Sequence, residues 1–260
     1  MIVTKIQGGL GNQLFQWAYT KNLTTKHSCN HILDISLYSK NISHITKRNF
    51  SLDQFQSLDL ITENKSYDND YDLIIDDFKF KELTYDPNKI YYLDGYWQSE
   101  KYFKESESVI KESLSPNQIL KEKLLKFDFK NKKLVSLHVR RTDYITSNGF
   151  HPLIPLLYYE NAVEMIGDYD NILIFSDDIN WCKENLNFKN SIFIDGLTDV
   201  ESLYLMSYCH HNIIANSSFS WWGAWLNSNP DKIVVAPLTW FGENVKYETE
   251  NIIPENWIRI

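Results

Sequence analysis

Short apolar runs alternate with segments of helical periodicity along most of this chain. Residues 2–6 and 31–35 are runs of the kind that form buried strands, and between them the apolar residues of 12–26 recur at helical spacing. The pattern starts again at residue 134 and continues to residue 236. Because alternating strands and helices pack as a parallel sheet covered by helices, we predict an α/β protein.

The same pattern places the individual elements. We predict strands at 2–6, 31–35, 90–93, 134–139, 172–175, 191–194, 212–215 and 233–236. We predict helices at 12–26, 99–113, 156–166 and 199–209, with further helix starts at 181 and 220. Residues 41–86 are polar and rich in Asp and Asn, so we expect loops with short elements there. A length of 260 residues allows two domains, which we place at 1–129 and 130–260, at the start of a basic turn.

Composition and charge narrow the class of protein. With 43% hydrophobic and 23% charged residues the chain has the make-up of a globular protein. Its net charge of −8 disfavours a nucleic-acid partner, because such proteins need a basic surface. The sequence has no apolar stretch of the ~20 residues that a transmembrane helix needs, and we find no signal-peptide pattern at residue 1. The three cysteines are too widely spaced for a disulfide framework or a metal pair, so we expect a cytoplasmic protein.

The first candidate site is a glycine-rich turn between the first strand and the first helix. It consists of Gly8, Gly9, Leu10, Gly11, Asn12 and Gln13. Glycines let the backbone approach a ligand, and the N–H groups at a helix start bind anions or polar substrates. The turn is not the dinucleotide motif GxGxxG, because Leu14 stands where the third glycine belongs. Asp34, which ends the second strand, resembles a ribose-binding acid, so a nicotinamide-dependent oxidoreductase stays open, as does a plain tight turn.

The second candidate site follows the strand at 134–139 and contains a pair of arginines. The chain has four Arg against 22 Lys, and two of the four, Arg140 and Arg141, are adjacent between His138 and Asp143. A guanidinium is a rigid fork of donors that fits phosphate oxygens, and ligands of parallel sheets bind at the carboxyl ends of strands. The pair therefore predicts an anion site, with an ion pair to Asp143 or another acid as the structural alternative.

Polar residues also follow two other predicted strands. They are Ser176, Asp177 and Asp178 after 172–175, and Ser217, Ser218, Phe219 and Ser220 after 212–215. Paired carboxylates can bind a metal, accept hydrogen bonds from a base or from sugar hydroxyls, or cap the helix that follows. The hydroxyl-rich run leads directly into a helix start, which is a geometry that binds anions.

Two further features are better explained without a ligand. Trp221, Trp222 and Trp225 could stack on sugars or bases, but their spacing is more typical of a helix in the core. The sequences at 68–70 and 70–72 formally match the DxD metal motif of some glycosyltransferases. They have no apolar strand beside them, so we expect no metal site there.

Three longer segments carry most of the motifs. They are GGLGNQLFQWA at 8–18, HVRRTDY at 138–144 and NSSFSWWGAWL at 216–226. These segments resemble the α-1,2-fucosyltransferase family and, more distantly, the α-1,6- and protein O-fucosyltransferases. Weaker matches, LDI at 33–35, GYWQSEKYF at 95–103, YYENA at 158–162 and FSDDINWCKENL at 175–186, extend the resemblance over almost the whole chain in the same order.

The resemblance implies an α/β glycosyltransferase of the GT-B type, with two Rossmann-like domains facing across a cleft. The N-terminal domain would take the acceptor and the C-terminal domain would bind GDP-β-L-fucose, with no metal and no other cofactor. Arg140 would neutralise the leaving phosphate, and Asn12 would face the reacting sugar. The donor-binding set implied in this way is His138, Arg140, Arg141, Asp143, Ser176, Asp177, Asp178, Ser217, Ser218, Phe219 and Ser220. The glycine turn would contribute Gly8, Gly9, Gly11 and Gln13.

We therefore expect a galactoside α-1,2-fucosyltransferase that transfers L-fucose with inversion to the 2-hydroxyl of a galactose-terminated glycan. Acceptor residues would come from the region 40–105, where Tyr96 and Trp97 are candidates to stack on a sugar. Two alternatives are a non-catalytic glycan-binding protein and a nicotinamide-dependent oxidoreductase. The first does not explain the arginine pair beside a hydroxyl-rich loop, and the second lacks its third glycine.

Overall fold

Two parallel β-sheets, each covered by helices, organise the chain. A computed structural model describes residues 1–39, 48–55, 57–64, 71–127, 131–147 and 149–260. The chain divides into two compact units, Met1–Ser115 with Tyr247–Pro254, and Pro116–Lys246 with Glu255–Ile260. The α/β class predicted from the alternation of apolar runs is confirmed.

The division between the units differs from the predicted domains 1–129 and 130–260. The first unit ends at Ser115, because the helix that follows belongs with the second unit, where its Lys123 forms an ion pair with Glu201 (Nζ–Oε1 2.5 Å). The chain also returns to the first unit at Tyr247–Pro254, where Glu248 pairs with Lys79 (3.1 Å). Residues 129 and 130 themselves lie outside the described residues.

In the first unit the described residues form a five-stranded sheet. Its elements in chain order are β1 (Ile2–Lys5), α1 (Leu10–His27), β2 (His31–Asp34), β3 (Thr62–Glu63), β4 (Asp72–Ile75), β5 (Tyr91–Asp94) and α2 (Glu107–Ser113). The strands lie in the order β3-β2-β1-β5-β4 and all pair in parallel. β1 is therefore the central strand, and the glycine turn that follows it lies at the middle of the edge formed by the carboxyl ends of the strands.

Two elements of this unit depart from the sequence prediction. The helix predicted at 99–113 is wrong in its first half, where Glu100–Tyr102 and Lys104–Ser106 form 3-10 turns ahead of α2. Phe103, which joins the two turns, has φ −142°, outside the helical region, so a continuous α-helix cannot run through it. β4 was not predicted, because it is an edge strand with exposed side chains inside a polar stretch.

The second unit contains a six-stranded parallel sheet within the described residues. Its elements are α3 (Gln118–Leu124), β6 (Leu134–Val139), α4 (Thr142–Ile145), α5 (Leu156–Ile166), β7 (Asn171–Ser176), α6 (Ile179–Asn185), β8 (Ser191–Phe193), α7 (Asp199–Tyr208), β9 (His211–Ile213), α8 (Ser218–Leu226), β10 (Val234–Ala236) and β11 (Ile258–Arg259). The strand order β8-β7-β6-β9-β10-β11 is the 3-2-1-4-5-6 order of the Rossmann fold. In that fold ligands bind at the carboxyl ends of the strands where the order reverses, here β6 and β9.

The core of the second unit explains why its elements were readily predicted. All six residues of β6 are buried, and α5 covers the sheet with Tyr158, Tyr159 and Ala162. Trp221 and Trp222 of α8 are 0% exposed, so they are core residues, as their spacing indicated. None of the helices that the structure describes combines the length and the apolarity needed to cross a bilayer.

Candidate active site

The carboxyl ends of β6, β7 and β9 bring the three predicted polar clusters to one edge of the second sheet. Parallel pairing of β6 with β7 sets Arg140 beside Asp177 (Nε–Oδ2 3.4 Å). β9 pairs with the other side of β6, and the ring of Phe219 at the start of α8 lies 5.7 Å from the ring of His138. Arg140 and Asp177 are 37 positions apart in the sequence and His138 and Phe219 are 81 apart, yet the members of each pair lie together.

Arg140 is held by the acidic residue three positions further on. Its Nε and Nη2 donate to the two carboxylate oxygens of Asp143, both at 2.8 Å. Burial acts to lower the pKa of Arg140, but the bonds to Asp143 and the charge of Asp177 outweigh it and raise the pKa. Within the described residues no acceptor is bonded to Nη1. The ion pair with Asp143 that the sequence analysis gave as the structural alternative therefore exists. It fixes the Arg140 guanidinium and leaves the Nη1 end for a ligand.

Asp177 organises the backbone that follows β6. Its carboxylate accepts hydrogen bonds from the backbone N–H groups of Arg141 (2.9 Å) and Thr142 (3.0 Å), and from the Thr142 hydroxyl. The same carboxylate lies 3.4 Å from Nε of Arg140. Asp177 thus connects β7 to the start of α4 and fixes the direction in which Arg140 leaves the strand.

Arg141 and Asp178 form a second, separate arrangement. The Arg141 guanidinium lies over the ring of Trp181 at 3.9 Å, and its Nε is 3.4 Å from Asp178. Asp178 also caps α6 by accepting from the N–H of Trp181 (3.3 Å), and its own N–H donates to Ser176 Oγ (2.9 Å). The two adjacent acids therefore have different structural tasks, because Asp178 caps a helix and Asp177 holds the arginine segment.

His138 is an uncharged group beside the arginines. Its side chain is 5% exposed, and no described residue makes a hydrogen bond to its Nδ1. Burial, helped by the positive charge of Arg140, lowers the pKa of His138 to about 3. His138 is therefore neutral at physiological pH, and the positive charge at this edge comes from the arginines.

The start of α8 faces the same edge without a side-chain cap. Ser217 is the N-cap residue, but its hydroxyl makes no cap hydrogen bond, whereas Thr198 caps α7 with a complete capping box. The Ser220 hydroxyl donates to the Ser217 carbonyl (3.3 Å). An uncapped helix start leaves its first N–H groups for water or an anion.

Three residues that sequence reasoning did not single out support this edge. The Tyr144 hydroxyl donates to the Asn216 carbonyl (2.8 Å), and the Tyr144 ring stacks on His151 at 4.5 Å. The Asn216 side chain donates to two backbone carbonyls, those of Pro152 and Trp240. Tyr144 and Asn216 belong to the motif segments 138–144 and 216–226, and this membership could have identified them. Nothing in the sequence marks His151.

The predicted glycine turn lies at the carboxyl end of β1, in the first unit. Gly8 has φ +80°, and a Cβ there would lie 2.6 Å from Nδ2 of Asn12, so this position requires glycine. Gly9 is the N-cap residue of α1, with no side chain to cap it, and Gly11 is buried in the first turn of the helix. The turn therefore brings the backbone close to Asn12, and the approach of a ligand to its glycines stays a prediction.

Two amides hold this turn in place. Gln13 is fully buried, and its Nε2 donates to the carbonyls of Gly8 (3.0 Å) and Asn49 (2.8 Å). Oδ1 of Asn12 accepts from Nε2 of Gln98 (2.8 Å), which comes from the segment after β5. Gln13 is thus a structural residue of the turn, and the bond from Gln98 fixes the orientation of the Asn12 side chain.

Asp34 does not present its carboxylate for a ribose. Its Oδ1 accepts from the backbone N–H of Ser36 (2.9 Å), and its Oδ2 accepts from the Tyr92 hydroxyl (2.6 Å). Asp34 is 2% exposed, so both oxygens are used inside the protein. The geometry disfavours the nicotinamide alternative, which needs this acid.

Tyr96 and Trp97 were expected to stack on an acceptor sugar, and for Trp97 this prediction is wrong. Its side chain is 3% exposed and packs against the rings of Tyr19 (4.9 Å) and Tyr102 (5.4 Å). The helix-like segment 99–103 and α1 cover it because their aromatic residues complete the core of the first unit. Tyr96 is only half-buried and stays available.

The described residues do not bring three His, Cys, Asp or Glu side chains together as ligands for a metal ion. Asp68 and Asp70, which belong to the formal DxD sequences, lie outside the described residues. Independence of metal stays a prediction.

Comparison with known proteins places the chain in a family. Residues 32–260 match Glycosyl transferase family 11. The chain belongs to this family. The resemblance to α-1,2-fucosyltransferases is confirmed, and membership of a glycosyltransferase family disfavours both the oxidoreductase and the non-catalytic glycan-binding protein.

Individual relatives cover most of the chain. The O-antigen biosynthesis glycosyltransferase WbnK and an alpha-1,2-colitosyltransferase, both of Escherichia coli, are each 31% identical and cover 98% and 100% of this chain and 99% of the relative. A galactoside 2-alpha-L-fucosyltransferase of Caenorhabditis elegans is 26% identical over 66% of this chain and 54% of its own length. Among solved structures, the fucosyltransferase NodZ from Bradyrhizobium matches with a TM-score of 0.53 at 10% identity, covering 85% of this chain and 91% of NodZ. The predicted GT-B fold class is confirmed.

Proposed function

We propose that this family 11 enzyme transfers L-fucose from GDP-β-L-fucose to the 2-hydroxyl of a galactose residue, with inversion and without a metal ion. The observation that carries the proposal is Arg140, fixed by Asp143 and Asp177 at the edge where the Rossmann strand order reverses, beside an uncapped helix start. The C. elegans relative, a galactoside 2-alpha-L-fucosyltransferase, supports the choice of sugar and linkage.

The leaving group explains why this edge needs an arginine. Breaking the bond between the sugar and GDP leaves negative charge on the β-phosphate, and fixed donors aimed at that charge stabilise the transition state. Arg140 has its Nε–Nη2 side occupied by Asp143, so we assign its Nη1 end to a phosphate oxygen. The first N–H groups of α8, with Ser217, Ser218, Phe219 and Ser220, would receive the other phosphate oxygens.

The remaining predicted donor residues position Arg140 or the backbone and side chains around it in this proposal. Asp143 and Asp177 orient the guanidinium, and Arg141 with Asp178 and Ser176 fixes the start of α6 beside it. His138 is neutral, so it adds no charge and supplies a polar edge beside the nucleotide.

The acceptor half of the reaction is assigned to the first unit. In this proposal Asn12 faces the reacting sugar, and an amide does not take up a proton at ordinary pH. We therefore propose a loose transition state resembling an oxocarbenium ion, in which the bond from the sugar to GDP is largely broken before the acceptor oxygen bonds to the sugar and releases its proton to water. Arg140, which acts on the departing group, then carries more of the catalysis than any base.

A second donor is favoured by one observation. The E. coli alpha-1,2-colitosyltransferase is 31% identical to this chain over its whole length, a longer match than that to the fucosyltransferase. Colitose is the 3-deoxy counterpart of fucose, so GDP-colitose presents the same diphosphate and the same linkage chemistry. The two donors differ in one hydroxyl of the transferred sugar.

A donor panel tests the proposal. The enzyme is incubated with lactose and one of GDP-fucose, GDP-colitose, UDP-galactose or a CMP-sugar, and the released nucleotide and the linkage of the product are determined. We expect GDP release from GDP-fucose and an α-1,2 product, which is the inverted configuration. Transfer from GDP-colitose alone would establish the second candidate, and turnover of UDP- or CMP-sugars in place of GDP-sugars would overturn the proposal.

The location and the cofactor prediction have their own tests. The three cysteines are free thiols in the structure, in keeping with a reducing cytoplasm, and cell fractionation checks this location. Turnover that stays unchanged when EDTA is added would support a reaction without a metal ion.

A further inference from the structure

Aromatic residues follow three strands of the first sheet at their carboxyl ends. Tyr38 comes after β2, Phe78 after β4 and Tyr96 after β5. A fourth ring comes from the returning segment, where Tyr247 packs on Phe78 with ring centres 4.4 Å apart, and Phe78 lies 6.2 Å from Tyr96. The Tyr38 hydroxyl donates to the carbonyl of Gly8 in the glycine turn (3.0 Å). We call Tyr38, Phe78, Tyr96 and Tyr247 the aromatic edge.

One half-buried carboxylate fixes most of this edge. Asp76 accepts hydrogen bonds from the backbone N–H groups of Phe78 (2.9 Å), Tyr96 (3.1 Å) and Trp97 (2.8 Å). Phe78 and Trp97 have φ +63° and +54°, a left-handed conformation that a non-glycine residue rarely adopts. A Cβ at Gly95 would lie 2.1 Å from the Cβ of Asp76, so the two loops are in direct contact. The backbone thus holds Phe78 and Tyr96 in fixed positions.

The fourth ring is anchored by polar contacts of its own segment. Glu248, next to Tyr247, pairs with Lys79, and Asn251 accepts a hydrogen bond from Lys101 (2.6 Å). Tyr247 itself remains 42% exposed although its ring packs on Phe78. The segment Tyr247–Pro254 belongs to the first unit, although the residues before and after it belong to the second. This excursion of the chain adds the partly exposed ring of Tyr247 to the aromatic edge.

Hydrogen-bonding groups lie beside the rings. Asp94, at the end of β5, accepts from Lys5 Nζ (2.9 Å) and Gln7 Nε2 (3.3 Å), and its charge contributes to the raised pKa of Tyr96 after burial. Asn12 and Gln98 form an amide pair on the glycine turn of the same edge. Flat apolar faces therefore lie next to a carboxylate and several amides.

We propose that the aromatic edge, with Asp94 and Asn12, is the binding site for the acceptor sugar, a neutral galactoside. One face of a galactose ring presents C–H groups, which pack against aromatic rings, and its rim presents hydroxyls, which bind carboxylates and amides. The edge follows the carboxyl ends of the strands on both sides of β1, where α/β sheets bind their ligands. This inference rests on the proposed function, because it takes the acceptor of that reaction as its ligand.

Removal of the partly exposed ring tests the site. In Tyr247→Ala we expect the KM for lactose to rise about tenfold, which corresponds to ~1.4 kcal/mol of binding free energy. The Kd for GDP, measured by calorimetry, and hydrolysis of GDP-fucose without an acceptor should stay within about twofold, because no donor group is changed. Tyr247→Phe keeps the ring and should bind lactose like the wild type.

A matched control removes a ring from the other end of the same sheet. Tyr85 stacks on His27 at the end of α1 (4.4 Å) and lies 5.7 Å from Tyr91 at the start of β5. Tyr85→Ala should leave the KM for lactose unchanged. Tyr247→Leu retains an apolar contact on Phe78 without a flat face, and should raise the KM as Tyr247→Ala does if that variant proves unstable.

Saturation-transfer NMR with methyl β-D-galactoside separates this inference from the proposed function, because it needs no donor. Transfer to the sugar in the wild type and its loss in Tyr247→Ala and Tyr247→Leu support the site even if GDP-fucose is not turned over. No transfer in the wild type, an unchanged KM in both variants, or a weakened GDP affinity in place of a raised KM would overturn the inference. The last result would mean that the rings stack on the guanine base.

Discussion

Asp177 should be more important for stability than its neighbour Asp178, although both follow the same strand. In Asp177→Ala the backbone N–H groups of Arg141 and Thr142 lose their acceptor, at 2.9 and 3.0 Å. A lost acceptor of this kind costs about 1–3 kcal/mol for a buried donor. The hydrogen bonds to Arg141 and Thr142 are exposed, so water replaces most of the loss, and we expect a decrease of ~1–2 kcal/mol in the free energy of unfolding.

The same variant should weaken GDP binding through Arg140. Without Asp177 the guanidinium loses its 3.4 Å partner and the backbone that aims it, so we expect the Kd for GDP to rise about tenfold, or ~1.4 kcal/mol. Asp178→Ala removes a helix cap and should cost about 1 kcal/mol of stability. Urea unfolding and calorimetry with GDP give both quantities.

A control separates stability from binding. Asn117 caps α3 by accepting from the N–H of Leu120 (2.9 Å), so Asn117→Ala should also cost about 1 kcal/mol of stability, with an unchanged Kd for GDP. If Asp177→Ala unfolds like the wild type and changes only the Kd for GDP, Asp177 contacts the nucleotide directly and the reasoning is refuted.

Two other changes test single features of the sites. His138 has a pKa of about 3 in the folded protein against 6.5 in the unfolded chain, so protonation of the unfolded chain lowers the free energy of unfolding as the pH falls below about 6.5. Between pH 7 and pH 5 the wild type should therefore lose ~2 kcal/mol more than His138→Gln in urea unfolding. Equal losses in the two proteins would contradict the lowered pKa. Gly8→Ala puts a Cβ 2.6 Å from Nδ2 of Asn12 at a residue with a positive φ, so the free energy of unfolding should fall by about 1–2 kcal/mol. The Kd for GDP should stay unchanged. A variant as stable as the wild type would show that the turn adapts.

The elements that were predicted well are those with a clear periodicity and full burial. β6 and α5 agree with the prediction at both ends, because an uninterrupted apolar run and a helical spacing leave little ambiguity. β4 was missed because an exposed edge strand has no apolar pattern, and α3 because its one buried residue, Leu124, gives no period. The helix that the pattern indicated at 99–113 is interrupted at Phe103, whose φ of −142° is not helical.

The candidate site was predictable in its position but not in its internal contacts. Parallel strands carry their carboxyl ends to one edge, so separate motifs such as 138–144 and 216–226 were expected to meet. The ion pair of Arg140 with Asp143 was named from the sequence, but the contact of Arg140 with Asp177 and that of Arg141 with Asp178 depend on strand register and on the direction of side chains. The placement of Tyr247 depends on the return of the chain to the first unit, which no local pattern reports.

The leaving-group role of Arg140 is the central claim, and the turnover of Arg140→Lys tests it most directly. Lysine keeps the positive charge, but a single ammonium cannot bind Asp143 through two atoms and also present a third donor to a phosphate. We predict that kcat for fucose transfer from GDP-fucose to lactose falls about a hundredfold or more, as for the loss of a donor that stabilises charge in the transition state. Near-full activity of Arg140→Lys would contradict the account.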